Sequence, residues 1–132
     1  MSPFGKKDQP GNDVDAALTA EVDRLNAMDL RQLGAEVMQK GFGPTCPAPD
    51  GLPTPSMIAE VFVPHAGRSP STDQFELLQD LVWEGVQALE HASLVRFAVW
   101  SSEGGKFFKL TRLGRAALEQ NAIDRVLGGG HL

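Results

Sequence analysis

Between residues 72 and 120 the apolar residues change period twice, and that change constrains the fold more than any other feature. Phe75, Leu78, Val82, Val86 and Leu89 fall at steps of three and four residues, joined by Leu81 and Gly85, behind Thr72 as N-cap with Phe75 at N3. That spacing predicts a long amphipathic helix ending near His91. Val95, Phe97 and Val99 then alternate with Arg96, Ala98 and Trp100, which is strand spacing. Residues 101–105 (SSEGG) supply a turn in which Gly104 and Gly105 can provide the positive φ of a tight hairpin, and residues 106–110 return as a second strand. Thr111 can cap a last helix containing Leu113, Ala116, Ala117 and Ile123. A long helix, a hairpin and a helix are therefore expected in sequence.

The preceding half reads as helical. Residues 1–11 are polar, carry Pro3 and Pro10, and are expected to form a flexible tail. Asn12 and Asp13 offer an N-cap, and Val14, Leu18, Val22 and Leu25 make one apolar stripe on a helix over about residues 13–27. That helix can pack on its own domain or pair with its copy in a second chain, although so few apolar positions do not specify a coiled coil. Asp29 can cap a second helix with Leu30, Leu33, Val37 and Met38 on one face, Lys40 in its last turn and Gly41 as a left-handed stop. Residues 41–54 (GFGPTCPAPDGLPT) carry four prolines, which remove backbone donors and fix φ, so a surface loop is expected. Thr54 and Pro55 look like an N-cap and N1 pair opening a short helix buried through Ile58, Val61 and Phe62 and ended by Pro64. Residues 64–71 read as another loop, and residues 128–132 (GGGHL) as a flexible end.

At 132 residues, 42% of them apolar and 22% charged, the chain suits one domain over residues 12–127. The expected class is mainly α with a small β-hairpin (α+β). Cys46 is the only cysteine, which excludes an intramolecular disulfide and a cysteine zinc cluster. Lys6 and Lys7 are followed by no apolar segment, and the longest nearly apolar stretch, residues 93–100, is interrupted by Arg96. No membrane association is expected, and a reducing, cytoplasmic location is the default.

The order helix, short helix, long helix, hairpin, helix resembles that of winged-helix domains. Residues 88–95 (ALEHASLV) look like the end of a recognition helix running into the first wing strand. Residues 110–115 (LTRLGR) resemble the LT-x-x-G-R with which bacterial winged-helix regulators, the MarR-like ones among them, leave the wing and begin the next helix. The physics of that segment is simple: leucine ends the strand in the core, threonine caps the helix, and glycine permits close helix–sheet approach. The resemblance covers about residues 30–120 and implies a winged-helix-like bundle with an additional N-terminal helix. One departure stands out, since no first strand is visible between the second and third helices and the proline loop takes its place.

Winged-helix proteins commonly lay the long helix in the DNA major groove. At 100° per residue from Asp73, the acids Asp73, Glu76, Asp80 and Glu84 fall between about 300° and 20°, opposite apolar positions centred near 140°. The segment from Thr72 to His91 contains five acids and no Lys or Arg. Duplex DNA carries one charge per about 1.7 Å of axis and is bound largely through cations, so this face is a poor DNA reader. The hairpin differs: Arg96, Lys106, Lys109, Arg112 and Arg115 are opposed by Glu103 alone. Those cations could contact a nucleic-acid backbone, or be solvated, with Arg115 pairing Glu119 four residues on. Trp83 lies near 280°, bordering the acidic stripe, and both Trp83 and Trp100 are expected at the edge of the core.

No catalytic pattern emerges. His65, His91 and His131 lack helix-spaced partners for a metal, and no phosphate-binding, dinucleotide-binding or nucleophile-elbow motif is present. Cys46 sits between prolines as a bystander thiol. The expectation is a non-enzymatic module without cofactor or metal. Its leading reading is a regulatory domain that binds a protein partner or its own copy, with Asp73, Glu76, Asp80, Trp83 and Glu84 as candidate interface. The alternative is a DNA-binding transcriptional regulator using Arg96, Lys106, Lys109, Arg112 and Arg115 of the basic wing.

Overall fold

The computed structural model describes residues 10–63, 72–102, 105–130 and 132. It is mainly helical with one two-stranded antiparallel sheet, an α+β arrangement. In chain order the elements are α1 (Pro10–Asn26), α2 (Leu30–Phe42), α3 (Pro55–Phe62), α4 (Thr72–His91), β1 (Val95–Trp100), β2 (Lys106–Leu110), α5 (Arg112–Glu119) and α6 (Ile123–Leu127). The helix expected from residue 13 begins earlier, at Pro10, because proline is tolerated in a first turn where its missing N–H has no partner. Residues 1–9, the loop 64–71 with His65, Glu103, Gly104 and His131 lie outside the described residues.

Of the expected caps, those at Asp29, Thr54 and Thr111 form, whereas Asn12 and Asp13 lie inside α1 and Thr72 is the first residue of α4. Asp29 accepts from Gln32 N–H at 2.8 Å while the Gln32 side chain accepts from Asp29 N–H at 3.1 Å, closing both orphan donors at the start of α2. Thr54 does the same for α3, accepting from Met57 N–H at 3.2 Å, with the Met57 sulfur accepting from Thr54 N–H at 3.5 Å. Gly41 does not stop α2. It is buried against Ile58, and the helix runs on to seat Phe42 in the core before Gly43 caps it in an extended conformation. The single last helix expected after Thr111 is two helices. Asn121 takes a left-handed φ of 53°, and Ala122 N–H donates back to the Ala117 carbonyl at 2.8 Å, which ends α5. Ser93 (φ 65°) ends α4 in the same way, with Leu94 N–H donating to the Leu89 carbonyl at 2.9 Å. Gly129 (φ 91°) and Gly130, which donates to the Arg125 carbonyl at 2.9 Å, give α6 an equivalent stop.

The core gathers around α4, which packs on α1, α2, α3 and β1. Leu78, Val82, Val86 and Leu89 are fully buried there, meeting Leu18 and Leu25 of α1, Val37 and Met38 of α2, Ile58 of α3 and Phe108 of β2. The first helix is thus part of this core. At Gly85 an added Cβ would stand 2.5 Å from Val37 Cγ2, so the missing side chain lets α2 and α4 touch. Among the described residues no third strand joins the sheet, but the proline loop supplies one ladder-like bond: Phe108 N–H donates to the Pro53 carbonyl at 2.9 Å. Arg31 fastens α6 to α2 through its Nε, 3.0 Å from both the carbonyl and the carboxylate of Asp124. Among the described residues no helix is long and apolar enough to cross a membrane.

Candidate interaction surface

The 3.6-residue repeat that buries one face of α4 leaves the other facing solvent, and the acids occupy that face. Asp73, Glu76, Asp80 and Glu84 are all exposed, with Gln87 and His91 continuing the stripe. None of the four carboxylates has a cation within 4.0 Å among the described residues; the ion pairs there are Arg24 with Glu21 and Glu36, and Arg31 with Asp124. Three and four residues apart, these acids are surface neighbours that repel one another by about 0.2–0.5 kcal/mol per pair. Leu77 lies within the stripe and is 49% exposed.

The hairpin is built from the register Val95–Leu110, Arg96–Lys109, Phe97–Phe108, Val99–Phe107 and Trp100–Lys106. Ala98 is bulged out of it, and the bulge changes which side chains face inward. Val95, Phe97, Leu110 and Phe108 point toward the bundle, as strict alternation predicts. After Ala98 the pattern inverts: Val99, which unbroken alternation would put on the Phe97 side, is 51% exposed. Trp100 turns to the Phe97 side, where the rings meet edge to face at 5.5 Å. It remains 60% exposed, more than the core edge expected for it, whereas Trp83 is half-buried against Phe108 at 5.9 Å.

Of the five cations named from sequence, Lys106 stands apart. Its ammonium lies 5.3 Å from the Trp100 ring, 5.7 Å from Phe97 and 6.0 Å from Trp83, tying the wing tip to α4. Such contacts contribute about 0.5–1 kcal/mol each at partly exposed sites. Arg96 and Lys109 sit directly opposite each other on the outer face of the hairpin, beside Val99 and Phe107. Like charges in cross-strand register destabilise a sheet, and no acid relieves this pair within 4.0 Å among the described residues. Arg112 and Arg115 are exposed on α5, and the expected Arg115–Glu119 pair is not formed. Lys109 and Arg115 also line a groove of about 560 Å³ with Cys46, Asp50 and Leu52. Asp50 there accepts from Leu52 N–H at 3.1 Å, and the Cys46 thiol donates to the Ala48 carbonyl at 3.5 Å.

A second open groove of about 610 Å³ runs between α2, α4 and α6, floored by Leu30, Ala88 and Leu127 and edged by Arg31, Glu84 and His91. Among the described residues no group of three or more His, Cys, Asp and Glu side chains could hold a metal. Comparison with protein-family models, with curated proteins and with solved structures finds no match.

The sequence named the acids, the cations and both tryptophans. It missed Leu77, Val99 and Phe107 as apolar members of the two charged faces. Leu77 was within reach, since at 40° it shares the sector of Asp73 and Glu84. Val99 and Phe107 depend on the bulge at Ala98, for which the sequence gives no local signal.

Proposed function

We propose that the chain is a non-catalytic binding module of winged-helix type with a regulatory role, acting through contact with protein. The order α2, α3, α4, β1, β2, α5 supports that type, as does the Pro53 carbonyl bonded to β2 between the second and third helices. A reducing cytosolic setting belongs to the same proposal and fits a chain with one cysteine.

The observation that carries the protein-binding reading is the outer face of α4. In a DNA-binding member of this fold class it would approach the duplex, yet it presents four exposed carboxylates, no Lys or Arg, and no ion pair among the described residues. Affinity for DNA comes from cations that displace its counterions, and this face has none to offer. A gel shift with mixed-sequence and genomic duplexes at about 50 mM salt, where electrostatic binding is strongest, is expected to show no sequence-selective complex. Tight and selective retardation would overturn the reading.

Arg96 and Lys109 on the outer hairpin, which form no ion pair among the described residues, favour one second reading, a DNA-associated regulator that uses its wing. It requires that replacing Arg96, Lys109 and Arg112 by alanine weaken duplex binding and flatten its salt dependence. Lys106 is a poorer probe of this reading, because its ammonium is held against three rings of its own chain. Absence of binding by the intact chain at low salt eliminates it.

A further inference from the structure

We infer that the partner is a second copy of this chain, with the acidic face of α4 in one protomer seated on the basic outer face of the hairpin in the other. This rests on the protein-binding reading above and names the partner that reading leaves open.

Two surfaces of the molecule are each unfavourable alone. Along α4, Glu76 stands one turn from Asp80 and Asp80 one turn from Glu84, with no cation on the helix to separate them. Across the hairpin, Arg96 faces Lys109, and among the described residues neither has an acid within 4.0 Å, the Asp50 that shares a groove with Lys109 standing farther off. Both surfaces contain exposed apolar side chains: Leu77 at 49% on α4, Val99 at 51% on the hairpin, with half-buried Phe107 next to it. An apolar centre ringed by charge is the usual anatomy of a protein interface. Here the two rims carry opposite signs.

The choice of occupant follows from what each candidate would satisfy. A nucleic acid neutralises Arg96 and Lys109 but is repelled by the α4 acids. A purely basic protein relieves α4 and leaves the hairpin strained, and a purely acidic one does the reverse. A second copy supplies both complements at once, and two-fold symmetry forms each contact twice. Lys106 takes no part, being engaged with Trp83, Phe97 and Trp100 within its own chain.

The test uses the full chain in sedimentation velocity over a range of concentrations, at low and high salt. The expected result is a concentration-dependent dimer at about 50 mM salt that weakens about tenfold or more at about 500 mM, where the screening length is a few ångströms. Two charge-reversed variants follow, Arg96→Glu with Lys109→Glu, and Asp80→Lys with Glu84→Lys. Each alone should be monomeric, because each repeats a like-charge contact twice. Mixed in equal amounts they should form a heterodimer, in which both contacts are again opposite in sign. Asp80, Glu84 and Arg96 are exposed and Lys109 is half-buried, and unchanged circular-dichroism melts establish that the variants fold. If the hairpin pair does not fold, Arg96→Gln with Lys109→Gln serves, with weakened association expected. A wild-type chain that is monomeric at every concentration overturns this inference and leaves the protein-binding reading intact. So does a dimer that survives either reversal, or a mixture that fails to associate. A selective DNA complex in the gel shift instead overturns the reading on which the inference rests.

Discussion

At Gly114 the fold has no room for a methyl group. An added Cβ would overlap the Leu94 carbonyl oxygen and stand 3.2 Å from Leu110 Cδ2. That carbonyl lies at the junction between hairpin and helix, where it also accepts from Thr111 N–H at 3.1 Å, while the Thr111 hydroxyl donates to the neighbouring Ser93 carbonyl at 2.6 Å. Thr111 in turn accepts from Gly114 N–H at 2.9 Å, capping α5. Gly114→Ala sets two effects against each other. Alanine gains about 1 kcal/mol of helix propensity, but forcing α5 away from β1 costs about 1–3 kcal/mol. Because the clash is with backbone rather than with a flexible side chain, the second effect should win. Urea unfolding should show a lower midpoint with an unchanged slope, and a variant as stable as the parent would refute the close approach. This junction was legible in the sequence because its threonine and glycine act through local chemistry. The helix stops at Ser93 and Asn121 were not, since neither residue requires a left-handed φ and only the packing around it selects one.

Elements were legible where one periodicity held throughout and were misread where it broke. The stripe of α4 survives intact because every turn repeats the same burial. The hairpin does not, since one bulged residue at Ala98 exchanges the two faces of everything beyond it and sends Val99 outward. Contacts between elements are also hidden from a linear reading, as the clasp between α1 and α2 illustrates. Arg24 donates to Glu21 at 2.9 and 2.7 Å within α1, and to Glu36 of α2 at 3.1 Å. The Arg24 hydrogen bond holds the Glu21 carboxyl below its ordinary value of 4.5, against the opposing pull of partial burial. A carboxylate depressed in the folded state contributes stability that is fully present above its unfolded value and is lost as pH falls through its folded one. The clasp is partly exposed, so screening limits it to about 0.2–1 kcal/mol. Arg24→Ala should therefore lower the melting temperature slightly at neutral pH. The gap between variant and parent should close as pH drops below 4.5, and a gap that persists in acid would assign the loss to packing of the arginine stem instead.

On the scale of the whole molecule, the first helix decides what can be detached. Leu18 and Leu25 are fully buried, and both belong to the cluster that also holds Val82, Val86 and Phe108. The sequence left open whether α1 packs on its own domain or on a second chain, because an apolar stripe states only that something must cover it. The structure covers it with α4. The self-association proposed above leaves α1 in place and uses the outer, charged faces, the five acids of α4 and the cations of the hairpin. Leu25→Ala separates the two roles. As a core residue it should cost about 2–5 kcal/mol of unfolding free energy, through lost transfer energy and the cavity left behind. That cost should be independent of protein concentration, because the contacts it removes lie within one chain. A helix whose stripe were completed by a second chain would behave differently: its loss would deepen on dilution, where mass action favours the free protomer. Denaturant melts of parent and variant at protein concentrations differing by about a hundredfold would span about 2.7 kcal/mol of that mass-action effect. Parallel shifts at both concentrations are expected, and a gap that widens on dilution would move α1 from the core to the interface.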